Sequence, residues 1–170
     1  LERDRRMMVV MPEGNFLTQR EHPRFALVTP ALDGDSVTLS APGFDSLRIA
    51  LRKSGTPTPV NIWKSKNVHA IDQGDEAAKW FSDWLAMTVR LVHFEDGFIR
   101  KVSADYAINP DDHTGFADGY PILLISEESL RDLNSRLDSS IPMNRFRPNL
   151  VVKGCEPFAE DAWKRIRIGD

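Results

Sequence analysis

Residues 143–154 read MNRFRPNLVVKG, and within them Arg145, Arg147 and Asn149 recur at every second position. In an extended segment that spacing sets all three side chains on one face, unless Phe146 sits at a bend. Two guanidiniums and an amide on one edge make a fork of donors suited to phosphate or carboxylate oxygens. Arginine pairs are also common on solvated surfaces, so the stretch alone leaves a plain surface pair open. A second group stands near the start, in Asp4-Arg5-Arg6. At the entrance of a strand, alternate side chains face opposite ways, so one arginine can enter a barrel mouth while the other meets solvent.

The other reactive residue types offer less. Cys155 is the single cysteine, which excludes an internal disulfide and a multi-cysteine metal site within this sequence. In KGCEPF it stands beside Glu156 with no neighbouring cation or helix start to lower its pKa, and it reads as a half-buried turn thiol. His22, His69, His93 and His113 show no HxH or HxxxH spacing and read as scattered surface or loop residues. Trp80 and Trp84, at i and i+4, read as the packing stripe of a helix. The acidic start of that helix, DQGDEAA, opposes an anion there.

These residues need elements to position them. The first seventy residues read as β structure. The spacing predicts a hairpin from 7–11 and 16–20 around PEGN, and another from 24–33 and 36–41 around Gly34. Strands follow at 46–51 and, more weakly, at 60–66. Short strands with turn residues between them point to a small barrel or sandwich. The pattern then changes to a helix over 74–87, a strand over 88–94 and a long polar loop over 95–120. A buried strand is expected at 121–126, and a helix capped by Ser126 carries Leu130, Leu133 and Leu137. Strands close the chain at LVVKG and near WKRIRIG. Pairing should be mostly antiparallel.

At 170 residues with net charge −3 the chain can bury an adequate core. That charge argues against a general nucleic-acid or membrane-surface binder, though it allows one local basic pocket. No apolar run reaches bilayer length and no signal peptide is apparent, so we expect a cytoplasmic protein with no membrane partner. The sequence opens without an initiator methionine and stops at RIRIGD, where another strand is expected. A fragment is therefore expected.

With these stretches in view, the sequence resembles the MOSC family, named for the molybdenum cofactor sulfurase C-terminal domain. It is similar to the branch with an N-terminal β-barrel domain, which includes the mitochondrial amidoxime reducing component and its bacterial relatives. The resemblance is carried by DRRMMVV, FLTQREHPRFALV, GDEAAKWFSDWL with VRLVHF after it, FADGYPILLISEESLRDLNSRL and RFRPNLVVKGCEPFAEDAWKRIRIGD. Their order and spacing, more than any one of them, are specific.

The resemblance implies a site. Arg5 matches the arginine of a D-R-x-hydrophobic strand that reaches the phosphate of the pterin cofactor. Arg147 and Asn149 match an R-P-N element that helps hold the cofactor, whereas Arg145 gains no such support. Gly119 and Tyr120 occupy the loop that lines the pterin pocket. Relatives often carry small hydroxyl residues there, so backbone contacts are expected from this pair. The counterpart of Cys155 is not the metal ligand. The family's upstream P-x-K-S segment is absent, and the molybdenum-ligating cysteine is expected beyond Asp170.

The expected fold is α+β. A β-rich N-terminal portion, a partial barrel over 1–100, packs on an incomplete MOSC-type mixed barrel over 101–170 with two main helices. The boundary is placed within 94–112. The implied full-length protein is a molybdenum-cofactor (Mo-molybdopterin) oxidoreductase that reduces small N-hydroxylated compounds. Its electrons would come from a donor protein or a fused ferredoxin-type domain. The fragment itself is expected to be inactive and without cofactor. The alternative is a sulfur- or cofactor-carrier module without turnover of its own.

Overall fold

The apolar run Met7–Val10 forms strand β1, and β7 (Arg90–Phe94) lies antiparallel beside it, Met7 opposite His93 and Val10 opposite Arg90. Both strands are largely buried on both faces, which is why β1 reads as a continuous apolar run. The computed structural model describes residues 3–169. Its contacts divide the chain into two compact units that meet in sequence at Gly119 and Tyr120.

In the N-terminal unit the strands in chain order are β1, β2 (Thr29–Asp33), β3 (Ser36–Ala41), β4 (Phe44–Ala50), β5 (Thr58–Ile62) and β6 (Ser65–Asp72). Helix α1 (Asp75–Leu85) comes next, followed by β7 and the short pair β8 (Arg100–Lys101) and β9 (His113–Thr114). One sheet has the order β1-β7-β6-β5 and a second the order β2-β3-β4, every pairing antiparallel. The first sheet curls. Its two edges are joined through the PEGN turn, because Phe16 bridges to Val10 of β1 while Asn15 bridges to Asn61 of β5. Asn61 N–H donates to the Gly14 carbonyl at 2.8 Å, and Phe16 N–H donates to the Asn61 carbonyl at 3.2 Å. The unit is thus a partial β-barrel.

Side chains of β1 and β7 alternate between two apolar clusters. Val9 and Leu91 face Val37, Leu39, Trp80 and Phe81, between the three-stranded sheet and α1. Met8, Val10, Val92 and Phe94 face Val60, Val68 and Phe116 inside the curled sheet. Helix α1 starts where Asp72 Oδ1 accepts the Gly74 N–H at 2.7 Å, with Asp75 and Glu76 in its first turn. It ends at Ala86 in the left-handed conformation. Trp80 Nε1 donates to the Asp45 carbonyl at 2.6 Å and ties the helix to β4.

The second unit is built from β10 (Leu124–Ser126), α2 (Glu127–Ser135) and β11 (Leu150–Val152), with β10 and β11 parallel. Ser126 caps α2 as expected, its Oγ accepting the Ser129 N–H at 3.0 Å. Asn134 then fixes the return of the chain: its Oδ1 accepts the Ile141 N–H and its amide donates to the Ile141 carbonyl.

Several expected elements differ. Residues 16–20 contribute one bridge at Phe16 and no ladder, because the chain turns away and Pro23–Leu27 forms a 3-10 helix. The run 24–33 is therefore strand only from Thr29. Residues 121–126 are strand only at Leu124–Ser126, with Ile122 and Leu123 exposed, so this run is not a buried strand. Leu137 lies past the end of α2 and is exposed. Residues 163–169 form no strand.

Candidate functional site

Arg5 closes a turn ahead of β1 with φ of +48°, and its guanidinium pairs with the neighbouring Asp4 carboxylate. Its carbonyl accepts the Phe116 N–H at 3.0 Å. A Cβ on Gly115 would lie only 3.2 Å from that carbonyl oxygen, so a glycine lets the two segments approach. Arg6 begins the β1 pairing: its carbonyl accepts the Phe94 N–H at 2.8 Å. Its guanidinium lies 4.6 Å from the centre of the Phe94 ring and donates to Asp96 at 2.6 Å. The expected strand alternation of Arg5 and Arg6 therefore does not form. A left-handed turn at Arg5 replaces it, and Arg6 serves packing.

Gly119 is half-buried, and a Cβ built on it meets nothing within 4 Å. Tyr120 is 56 % exposed. The carbonyls just before them converge on Arg100, a residue to which no sequence spacing points. Arg100 is buried, and its guanidinium donates to the Gly115 carbonyl at 2.7 Å, the Ala117 carbonyl at 2.6 Å and the Asp118 carbonyl at 3.3 Å. Burial pushes its pKa down, against the opposing charge of Asp118, but an arginine keeps its proton there.

In the second unit the arginine pair is not on an extended face. Met143–Arg145 is a 3-10 turn, Phe146 is helical, and Arg147 takes φ of +54° as its N–H donates to the Asn144 carbonyl at 3.1 Å. Pro148 explains the break: a proline disfavours helical backbone in the residue before it, so the turn cannot continue as helix through Arg147. The bend at Phe146 separates Arg145 from Arg147. Asn149 then opens β11, and its Oδ1 accepts the Leu123 N–H at 2.8 Å. That bond fixes the orientation of the Asn149 amide.

Glu160 is a second residue to which sequence spacing does not point. Its Oε1 accepts the Ser126 N–H at 2.8 Å and the Ser129 hydroxyl at 2.6 Å. Burial pushes this carboxyl up, but the bonds from Ser129 and Ser126 outweigh it and hold the pKa at about 2. Cys155 lies with Sγ 3.9 Å from Glu128 Oε2. It is half-buried at a bend of the chain, as the sequence suggests. Among the described residues no group of three His, Cys, Asp or Glu side chains is arranged to hold a metal.

The N-terminal unit also has a cleft of about 300 Å³ lined by Arg3, Arg6, Leu32, Lys53, His93 and Asp96. Its cations are engaged: Arg6 by Asp96, Lys53 by Asp35 at 2.7 Å and Arg3 by the Gly34 carbonyl at 3.0 Å. Burial pushes the His93 pKa down, and Nδ1, 2.7 Å from the Phe94 carbonyl, carries the proton of the neutral ring. The cleft is charge-compensated.

Arg5 in the first unit, and Arg147 and Asn149 in the second, each carry hydrogen-bond donors of the kind that anionic oxygens accept. Among the described residues, six non-glycine residues take left-handed backbone, and two of them are Arg5 and Arg147.

Residues 1–88 match the MOSC N-terminal beta barrel domain and residues 111–170 match the MOSC domain. The chain is 38 % identical over 176 residues to human mitochondrial amidoxime-reducing component 1, covering 99 % of this chain and 51 % of that protein. It is 36 % identical over 183 residues to rat mitochondrial amidoxime reducing component 2, covering 99 % of this chain and 52 % of that protein. The chain thus spans about half the length of these relatives. A solution structure of a Bordetella bronchiseptica protein is 24 % identical with a TM-score of 0.47, covering 54 % of this chain and 72 % of that one. From Arg5 at the head of the partial barrel to the R-P-N turn before β11, this chain is a member of the MOSC family, in the branch that carries the N-terminal β-barrel domain.

Proposed function

We propose that the full-length protein binds the molybdenum cofactor and reduces small N-hydroxylated compounds with electrons from a donor protein or a fused ferredoxin-type domain. When bound, the cofactor supplies the oxygen-atom and electron chemistry at its metal. The residues of this chain bind and orient it. Arg5 and Arg147 neutralise and position the phosphate of the pterin through charge-assisted hydrogen bonds, and Asn149 adds an amide whose direction Leu123 fixes. Gly119 and Tyr120 line the pterin with backbone groups. By the family pattern Cys155, whose Sγ points at Glu128 Oε2, is not the metal's thiolate ligand.

The observation that carries this reading is the conformation of Arg5 and Arg147. Both matched arginines hold left-handed backbone, and Arg145, which the family pattern does not include, does not. The test is to express the full-length protein where the cofactor is made and to measure bound pterin and molybdenum, then amidoxime reduction with an artificial donor. Arg147→Ala should lose most of the cofactor and Arg145→Ala should keep it. Wild-type protein free of pterin and molybdenum would sink the reading. Loaded protein without turnover, carrying persulfide on its ligating cysteine, would favour a sulfur carrier.

A further inference from the structure

Arg100 is a buried cation with carbonyl oxygens where a carboxylate would be expected. It is 9 % exposed and donates to the carbonyls of Gly115, Ala117 and Asp118, while its Nε donates to Ser65 Oγ at 3.0 Å. Among the described residues it forms no ion pair. A desolvated guanidinium is tolerated only when its donors are met, so these carbonyls are drawn round it.

The constraint works in both directions. Residues 115–118 follow β9 and belong to no strand or helix. One side of this segment is held by Arg100. The other is held by the Phe116 N–H, which donates to the Arg5 carbonyl at 3.0 Å. The segment then runs directly into Gly119 and Tyr120. One guanidinium thus fixes a stretch that touches the Arg5 turn and leads into the pocket loop.

We propose that Arg100 is the positioning residue of the cofactor pocket. By gathering the carbonyls of Gly115, Ala117 and Asp118 it seats the Arg5 turn through Phe116 and sets the path of the chain into Gly119–Tyr120. It does not touch the cofactor. The inference rests on the reading above, in which Arg5, Gly119 and Tyr120 do.

The experiment compares wild type, Arg100→Gln and Arg100→Lys in the full-length protein expressed where the cofactor is made. Two quantities are read: pterin and molybdenum per chain after gel filtration, and hydrogen exchange of peptides covering 113–119 against those covering β1 and β7. Arg100→Gln should lower cofactor occupancy roughly tenfold, the scale seen when outer-shell partners of a site are removed. Exchange in 113–119 should rise roughly tenfold while β1 and β7 keep their protection. Arg100→Lys keeps the charge without the planar fork and should recover part of the occupancy.

Full occupancy in Arg100→Gln, or unchanged exchange in 113–119, overturns the proposal. So does loss of β1 and β7 protection in both variants, which would make Arg100 a support of the whole unit. Wild-type protein without pterin overturns the functional reading and this inference with it. A loaded wild type beside an indifferent variant overturns only this one.

Discussion

Asn149 and Leu123 exchange a pair of hydrogen bonds: the Leu123 N–H donates to Asn149 Oδ1 and the Asn149 N–H donates to the Leu123 carbonyl, both at 2.8 Å. One residue thus sets the start of the β10–β11 pairing and presents an amide of fixed direction. Asn149→Asp keeps the acceptor and loses the amide donors, whereas Asn149→Ala loses both. Asn149→Ala should lower stability by about 1 kcal/mol, the net worth of one such bond. Asn149→Asp should melt near wild type yet bind less cofactor, because a carboxylate repels phosphate. Thermal melts and pterin content, measured together, check both halves.

Arg147 holds its left-handed backbone at an expected expense of about 1 kcal/mol for a residue with a Cβ. Arg147→Gly removes that strain but adds freedom to the unfolded chain and gives up the side chain's own contacts, so stability without cofactor should not rise. Cofactor occupancy should fall about tenfold or more, as expected for losing a charge-assisted bond. Denaturant unfolding against pterin content separates the two effects.

The Gly14 turn gives a steric prediction. Gly14 has φ of +84°, and a Cβ there would lie 2.9 Å from the Pro59 carbonyl oxygen. Gly43 has φ of +68° with nothing within 4 Å. Gly43→Ala should cost about 1 kcal/mol from backbone strain. Gly14→Ala should cost more, since it also forces apart the bonds that join β5 to the PEGN turn. Equal melting temperatures for the two variants would contradict this.

Glu160 predicts a pH dependence. Its folded pKa, about 2, is depressed below the ordinary value of 4.5. Its contribution to stability is therefore full above about 4.5 and is lost as pH falls toward 2. Glu160→Gln should be clearly less stable than wild type near neutral pH, and the difference should shrink steadily below the ordinary carboxyl range. Urea unfolding at a series of pH values measures it. A constant difference would contradict the assignment.

The strands around Gly34, helix α1 and the cap at Ser126 were legible in the sequence because each rests on local signals: alternation, helical spacing and a hydroxyl before acidic residues. The family was likewise legible from ordered motifs. The arrangement of Arg145 and Arg147 was not, because alternation assumes an extended chain, while Pro148 and a 3-10 turn bend it. The strand expected over 16–20 failed for a related reason. Phe16 has one useful pairing, between β1 and β5, and only the curl of the sheet supplies it.

By itself the sequence determined which residues are apolar, where turns are cheap, and which family the chain belongs to. Tertiary structure decided what the arginines are held by. Arg6 was assigned to Phe94 and Asp96, and Arg5 was seated by Phe116. Arg100 and Glu160 gained their roles only when distant carbonyls and hydroxyls closed around them. A buried charge is defined by the dipoles that replace its water, and those dipoles come from segments far apart in sequence.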